Sequence, residues 1–246
     1  MDAMIFAAGL GTRLRPLTDT LPKALIPVAG VPMLQRVAER LIAAGATRLI
    51  VNAHHHAGMV ADFIRERHGF GVETVISDEP DLLLDTGGGL KRASRFFRND
   101  ASFLLHNSDI ISDIDLSLLY RAQREREPLA TLAVMERETS RYLAFDEAGE
   151  LCGYGNSATG FVELARRPAG ELRRLGFCGI HAVSSRIFGT IIEEGAFSII
   201  PLYMRLLREG ESILAHRVDG ALWIDIGKPD QLNRAESLLG RVGCDT

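Results

Sequence analysis

Two glycines, an arginine and a lysine near the start of the chain have the types and spacing needed to hold phosphate. Gly9-Leu10-Gly11-Thr12-Arg13 follows the apolar run Ala3–Ala8, and Pro22-Lys23 comes about ten residues after Arg13. Glycine has no Cβ, so the backbone can turn sharply there and bring its N–H groups close to an anion. A helix expected directly after the turn adds unpaired N–H groups and a partial positive charge. Arg13 can take two phosphate oxygens in one fork, whereas Lys23 acts as a point charge. Together these groups suit a polyphosphate, and so a nucleoside triphosphate. Two other phosphate loops do not fit. The third glycine of the dinucleotide fingerprint is replaced by Leu14, with Pro16 soon after, and no Gly-Lys-Ser/Thr follows the glycines as a P-loop requires.

Two acidic residues could serve a second kind of chemistry. Asp109 follows Phe103-Leu104-Leu105-His106, and Asp225 follows Leu222-Trp223-Ile224. Both positions read as the ends of buried strands, where open α/β sheets place their ligand sites. Buried carboxylates are costly unless paired or bound to metal. A hard divalent cation such as Mg²⁺ would compensate both, while the alternative is that each Asp caps a following turn or helix.

These groups must be positioned by regular elements. Strand patterns fall at Met4–Ala8, Arg48–Ala53, Val72–Ser77 and Phe103–His106. Helical spacing appears at Pro32–Ala44, Met59–Arg67, Gly89–Phe97 and Leu116–Arg126. This alternation predicts a mainly parallel sheet covered on both faces. The second half reads differently, with strands at Leu129–Met135, Tyr142–Phe145, Phe161–Leu164 and Arg174–Val183 and turn signals at Ala148-Gly149 and Gly153–Ser157. Helices are expected at Ser184–Glu194, Ser198–Glu209 and Pro229–Leu239, and strands at Ile213–Val218 and Leu222–Ile226. The expected organisation is one domain over residues 1–246, with a nucleotide-binding half (1–128) and a closing, mixed-sheet half (129–246) that completes the pocket.

Composition excludes several classes. The 246 residues are 46% hydrophobic and 24% charged, ordinary for a globular protein. A net charge of −4 argues against a general nucleic-acid surface. No apolar run is long enough to span a membrane, and no signal segment is read at the N-terminus. Cys152, Cys178 and Cys244 are scattered without disulfide or zinc spacing, which suits reduced thiols in the cytoplasm.

The stretch AAGLGTRLRPLTDTLPKALIPVAGVPML resembles the signature of the sugar-1-phosphate nucleotidyltransferases. The resemblance continues at Thr86-Gly87-Gly88, Asn107-Ser108-Asp109 and Trp223-Ile224-Asp225-Ile226-Gly227. It is strongest to short members acting as N-acetylmuramate-1-phosphate uridylyltransferases and to mannose-1-phosphate guanylyltransferase-like proteins. It implies a Rossmann-like mixed sheet flanked by helices, without the C-terminal β-helix of the long members. It implies transfer of a nucleotidyl group from an NTP to a sugar-1-phosphate, favouring UTP with N-acetylmuramate-1-phosphate, and makes the closing half the sugar-binding one. The alternatives are a GTP-dependent mannose- or heptose-1-phosphate guanylyltransferase, a cytidylyl transferase acting on another acceptor, or a non-catalytic regulator on the same fold. It also assigns roles. Ala8, Gly9, Leu10, Gly11, Thr12, Arg13, Lys23 and Gly88 would bind nucleotide, with Leu10, Gly11 and Gly88 offering backbone groups to the base. Asp85, Asn107 and Gly179 would touch substrate. Arg13, Lys23, Asp109 and Asp225 would be catalytic, the two aspartates holding Mg²⁺. Two departures stand out. Ser108 replaces the usual Gly, and no Glu-Lys-Pro occurs in mid-chain.

Other residues invite functional readings of lower weight. His54-His55-His56 suits a surface loop better than a metal site. Trp223 reads as a core anchor rather than a stacking platform. Asn52 stands where it could approach a base, and Arg121–Glu127 reads as a solvated helix face.

Overall fold

A computed structural model describes residues 1–98 and 101–242; Cys244 lies outside the described residues. The first strand, β1 (Asp2–Phe6), is buried throughout and forms the middle of the parallel region. It is followed by a short helix α1 (Leu17–Thr20), a hairpin of β2 (Pro27–Val28) and β3 (Val31–Pro32), and helix α2 (Met33–Ala43). Then come β4 (Arg48–Ala53), α3 (Ala57–Glu66), β5 (Glu73–Asp78), α4 (Asp85–Ala93), β6 (Ser102–Asn107), β7 (Ile110–Ser112) and α5 (Leu116–Arg126). The later part contains β8 (Ala130–Met135), β9 (Arg141–Phe145), β10 (Leu151–Asn156), β11 (Phe161–Leu164) and the long β12 (Arg173–Ser184). It closes with α6 (Ile199–Arg208), β13 (Ile213–Arg217), β14 (Trp223–Asp225) and α7 (Pro229–Val242).

Ten strands form one sheet in the order β11-β10-β9-β12-β6-β1-β4-β5, with β8 also paired to β12 and β13 to β8. The segment β6-β1-β4-β5 is parallel, as the alternating pattern predicts. Strand β12 runs antiparallel to β6, β8 and β9 and joins the two halves. Alternate residues of β1 serve opposite faces. Ala3 and Ile5 pack with Leu34, Val37 and Leu41 of α2, while Met4 and Phe6 pack with Leu90 of α4 and Leu202 and Leu206 of α6. A third apolar cluster ties β7, β14 and α7 together through Ile111, Ile224, Ile226 and Ala235. Among the described residues, no helix is long and apolar enough to cross a membrane.

Three local expectations change. The turn expected at Gly153–Ser157 begins only at Ser157, because Gly153 and Gly155 lie inside β10. A Cβ on Gly153 would fall 2.2 Å from Glu163 O, and one on Gly155 2.4 Å from the Tyr142 hydroxyl. These glycines permit close strand packing rather than a change of direction. Residues 184–194 form only a short 3₁₀ turn, Ser185–Gly189, capped by the Ser184 hydroxyl. Helix α4 begins at Asp85 rather than Gly89, so Gly87, Gly88 and Gly89 are helical. Space explains them, because a Cβ on Gly87 would meet the Phe197 ring at 2.4 Å and one on Gly88 would meet Gly195 O at 2.5 Å.

Candidate active site

The glycine turn follows β1 directly. Gly11 has φ 63° and begins a 3₁₀ turn over Thr12–Leu14. A Cβ there would lie 2.8 Å from Thr18 Cγ2 and 3.0 Å from Lys23 Cβ, so both the dihedral and the space require glycine. Gly11 O accepts from Leu14 N at 2.8 Å and from the Thr18 hydroxyl at 3.0 Å, which fixes the turn. The helix expected directly behind the loop is a minimal one. Helix α1 has four residues and starts only at Leu17, so it supplies little dipole. Any anion here depends on loop N–H groups and on the side-chain cations. Gly9, Leu10, Thr12 and Arg13 are exposed, and Ala8 is buried just before them.

Lys23 reaches back under the loop and pairs with Asp109. Asp109 stands between β6 and β7, and Asp225 ends β14. β7 and β14 pair antiparallel with Asp225 opposite Ile110, and Ile226 N donates to Asp109 O at 3.0 Å. This two-stranded ribbon brings the two aspartates next to one another. Asp225 Oδ1 accepts from Gly227 N at 2.7 Å, and its other oxygen has no hydrogen-bond partner among the described residues. A Cβ on Gly227 would meet Arg13 Nη2 at 2.6 Å and Asp225 Oδ1 at 2.8 Å, so Arg13 comes down beside Asp225 at this glycine. Ser108 is buried, donates its N–H to Phe6 O at 3.1 Å and does not adopt positive φ. The position therefore does not demand glycine.

Two cavities meet at this aspartate pair. The smaller, about 440 Å³, is bounded by Ala8, Gly9, Lys23, Asn107 and Asp109 on one side and by Asn52, Asp85 and Thr86 on the other. Its floor is a buried network in which the sequence reading had singled out Asn52 but not Glu79. Asn52 Oδ1 accepts from Ala7 N at 2.8 Å, and Asn52 Nδ2 donates to Glu79 Oε1 at 2.7 Å. Glu79 is 1% exposed, and its other oxygen accepts from Leu84 N at 2.9 Å. Asp85 has φ 59°, and its carboxylate accepts from Thr86 N at 2.6 Å. A non-glycine residue held there is strained, as is common at ligand sites. The Gly88 N–H is used by Phe197 O at 3.1 Å, so this residue packs the 195–197 loop onto α4. His54 donates through Nδ1 to Glu79 O, and the His55 and His56 rings lie against each other at a tilt of 50°, neither lining the cavity.

The larger cavity, about 1000 Å³, is bounded by Arg13, Asp225 and Lys228 at one end and by Arg137, Arg141, Tyr142, Tyr154 and Asn156 elsewhere. Trp223 packs against the main core cluster, as its reading as a core anchor expects, and is partly buried because it also lines this cavity. Its indole N–H donates to Cys178 O at 2.9 Å, and the Arg137 guanidinium lies 4.2 Å from its ring centre. Gly179 lines neither cavity. It sits in the irregular part of β12 with φ 72°, where a Cβ would meet Asn107 Nδ2 at 2.7 Å. Arg137, Tyr142 and Asn156 were not singled out from the sequence. The cue available was the Arg141-Tyr142 pair entering a strand, which carries no meaning until β9 and β10 are known to face Trp223.

The residues fit a divalent cation. Two carboxylates lie on adjacent strand ends, and each keeps an oxygen free of protein partners among the described residues. Mg²⁺ commonly takes only one or two carboxylates and fills its octahedron with water and phosphate oxygens.

A family model described as nucleotidyl transferase matches residues 2–241. The N-acetylmuramate alpha-1-phosphate uridylyltransferase of Caulobacter vibrioides is 33% identical, covering 98% of this chain and 97% of that protein. The enzyme of the same name from Neisseria meningitidis is 29% identical over 98% of this chain and 99% of its own length. The crystal structure of HddC from Yersinia pseudotuberculosis superposes with a TM-score of 0.78, at 21% identity, over 97% of this chain and 99% of that one. The sheet order, the glycine turn and the match along nearly the whole sequence converge, and the chain belongs to the nucleotidyl transferase family.

Proposed function

We propose that this enzyme, a sugar-1-phosphate nucleotidyltransferase, joins UTP to N-acetylmuramate-1-phosphate, releasing pyrophosphate. The single observation carrying the reaction is the ribbon that sets Asp109 beside Asp225 where the two cavities meet. The choice of substrates rests on similarity to the two uridylyltransferases, which spans nearly the full length of each protein.

The smaller cavity takes the nucleotide. Its base lies over Asn52 and Asp85 and its phosphates run along Ala8–Arg13. The larger cavity takes the sugar, and the reacting phosphates meet between Lys23 and Arg13. An oxygen of the sugar phosphate attacks the α-phosphorus in line. The new P–O bond forms as the α–β bridging P–O bond breaks, and pyrophosphate leaves with the electron pair. The nucleophile is already anionic, so no general base is needed, and catalysis consists of positioning and charge stabilisation. Lys23 exchanges Asp109 for the α-phosphate as nucleotide binds. Arg13 holds the departing β- and γ-phosphates, and Asn107 hydrogen-bonds the sugar or its phosphate. Asp109 and Asp225 would hold Mg²⁺, which when bound neutralises phosphate oxygens. The buried free thiols of Cys152 and Cys178 suit a cytoplasmic enzyme.

Pyrophosphate release with Mg²⁺ across a grid of nucleoside triphosphates and sugar-1-phosphates tests this reading. The highest kcat/KM is expected for UTP with N-acetylmuramate-1-phosphate. Absence of turnover with every pair overturns the reaction, and a clear preference for GTP with a mannose or heptose phosphate overturns the substrates.

A further inference from the structure

The larger cavity contains a cation that the phosphoryl chemistry does not use. Arg137 leaves the end of β8 and sets its guanidinium over the Trp223 ring, and among the described residues its hydrogen bond is from Nη2 to Phe177 O at 3.0 Å. Its Nε is buried without a hydrogen-bond partner. Among the described residues no carboxylate forms an ion pair with it, whereas Arg166, Arg186, Arg205, Arg208 and Arg217 on this half each have one. A half-buried guanidinium without an anion is costly, and burial lowers its pKa from the ordinary arginine value. Stacking on the indole holds the planar fork rigid, so little side-chain entropy is lost when an anion docks.

Position separates Arg137 from the phosphate groups. Arg13 and Lys228 stand at the Asp225 end of the cavity, and Lys23 is on Asp109. Trp223 and Asp225 are two residues apart on β14, about 6–7 Å along the strand and on the same face. A sugar phosphate placed at Asp225 would lay its ring beside Trp223 and carry ring substituents to Arg137.

We propose that Arg137 binds a carboxylate carried by the sugar, so that the larger cavity selects sugar-1-phosphates with an acidic substituent over their neutral counterparts. This rests on the sugar-1-phosphate reading above and assigns the residue that reads the acid. Muramate differs from glucosamine by one lactyl ether, whose carboxylate is the matching group. The planar fork of Arg137 suits two-point binding of a carboxylate, which a lysine ammonium cannot reproduce.

The test is a competition between N-acetylmuramate-1-phosphate and N-acetylglucosamine-1-phosphate for limiting UTP, with both products counted by mass spectrometry. The product ratio reports relative kcat/KM and does not depend on how much of a variant is folded. The unaltered protein is expected to favour the acidic sugar, and Arg137→Gln to reduce that ratio about 10- to 100-fold. Arg137→Lys should recover part of the preference, because it restores charge without the fork. An unchanged ratio in Arg137→Gln, or a preference for the neutral sugar in the unaltered protein, overturns this proposal alone. Turnover of neither sugar by the unaltered protein overturns the proposed reaction, and this proposal with it.

Discussion

The two cavities are built in different ways. The smaller one is formed by the C-terminal ends of neighbouring parallel strands, β1, β4, β5 and β6, and by the loops that leave them. Its polar groups are locked to one another: Asn52 ties Ala7 to Glu79, and Glu79 ties Leu84 in turn. The larger cavity is formed by antiparallel strands, by α6 and by the β14 ribbon, and it presents side chains rather than backbone. Among the described residues its Arg137 forms no ion pair, although the Asp225 carboxylate acts on it from a distance. The contrast teaches a division of labour. A rigid, internally satisfied region suits a part of the substrate held in one fixed pose, and a region of side chains without ion-pair partners suits a part whose substituents are to be read.

The strongest test of this contrast lies on the boundary. Asp109→Asn and Asp225→Asn are each expected to lower kcat on the order of 10²–10³-fold while leaving the fold intact. Pyrophosphate release and circular dichroism check this, and normal turnover in either variant removes that residue from the metal pair. Next comes the locked network. Asn52→Ala leaves Ala7 N–H and Glu79 without their partner in a buried site, which should cost about 1–3 kcal/mol of stability. It should also raise KM for the nucleotide more than for the sugar, and an equal rise in both would contradict the assignment of the two cavities.

Glycines sharpen the comparison further. Gly153→Ala should cost about 1–3 kcal/mol by overpacking β10 against Glu163. Gly149→Ala, in an open turn at φ 78° with nothing within 4 Å of the added Cβ, should cost no more than about 1–2 kcal/mol, from backbone strain alone. Urea midpoints rank the two, and the reverse order would mean that the β10 glycines do not act through packing.

The smallest effect concerns the seam between the regions, where His106 of β6 lies near His181 of β12. Burial pushes His106 down to about 4 and, with the neighbouring His106 adding to it, His181 to about 3. Both are neutral when folded, whereas in the unfolded chain each takes up a proton near pH 6.5. Their contribution to stability is therefore complete above pH 6.5 and is lost as the pH falls below it. Each adds a slope of at most about 1.4 kcal/mol per pH unit. Urea midpoints should fall between pH 7 and pH 5, and a flat profile would show that these histidines are not buried as neutral groups.

How much of this was legible in the chain depends on the range of the forces involved. The parallel core was readable because strand and helix periods repeat within a few residues. The phosphate turn was readable because Gly11 must adopt positive φ beside Lys23, which is a local demand. The ribbon strand Ile110–Ser112 was missed because three residues give no period, and its partner β14 lies far along the chain. Gly153 and Gly155 were misread as a turn, since glycine marks a bend and a close approach with the same letter. Glu79 gave no signal because its burial depends on Asn52 and Leu84 arriving from other elements. Arg137 went unnoticed for a similar reason: an arginine following an exposed Glu reads as surface until Trp223 is placed beneath it.

The sequence by itself determined the chemical types available, namely cations behind a glycine turn and two carboxylates at strand ends, because side-chain chemistry and short-range backbone preference are written residue by residue. Only the tertiary structure decided which of them meet. The pairing of β7 with β14 and of β8 and β9 with β12 depends on hydrogen bonds and burial between distant segments, and such contacts acquire their free energy only when the whole sheet is assembled.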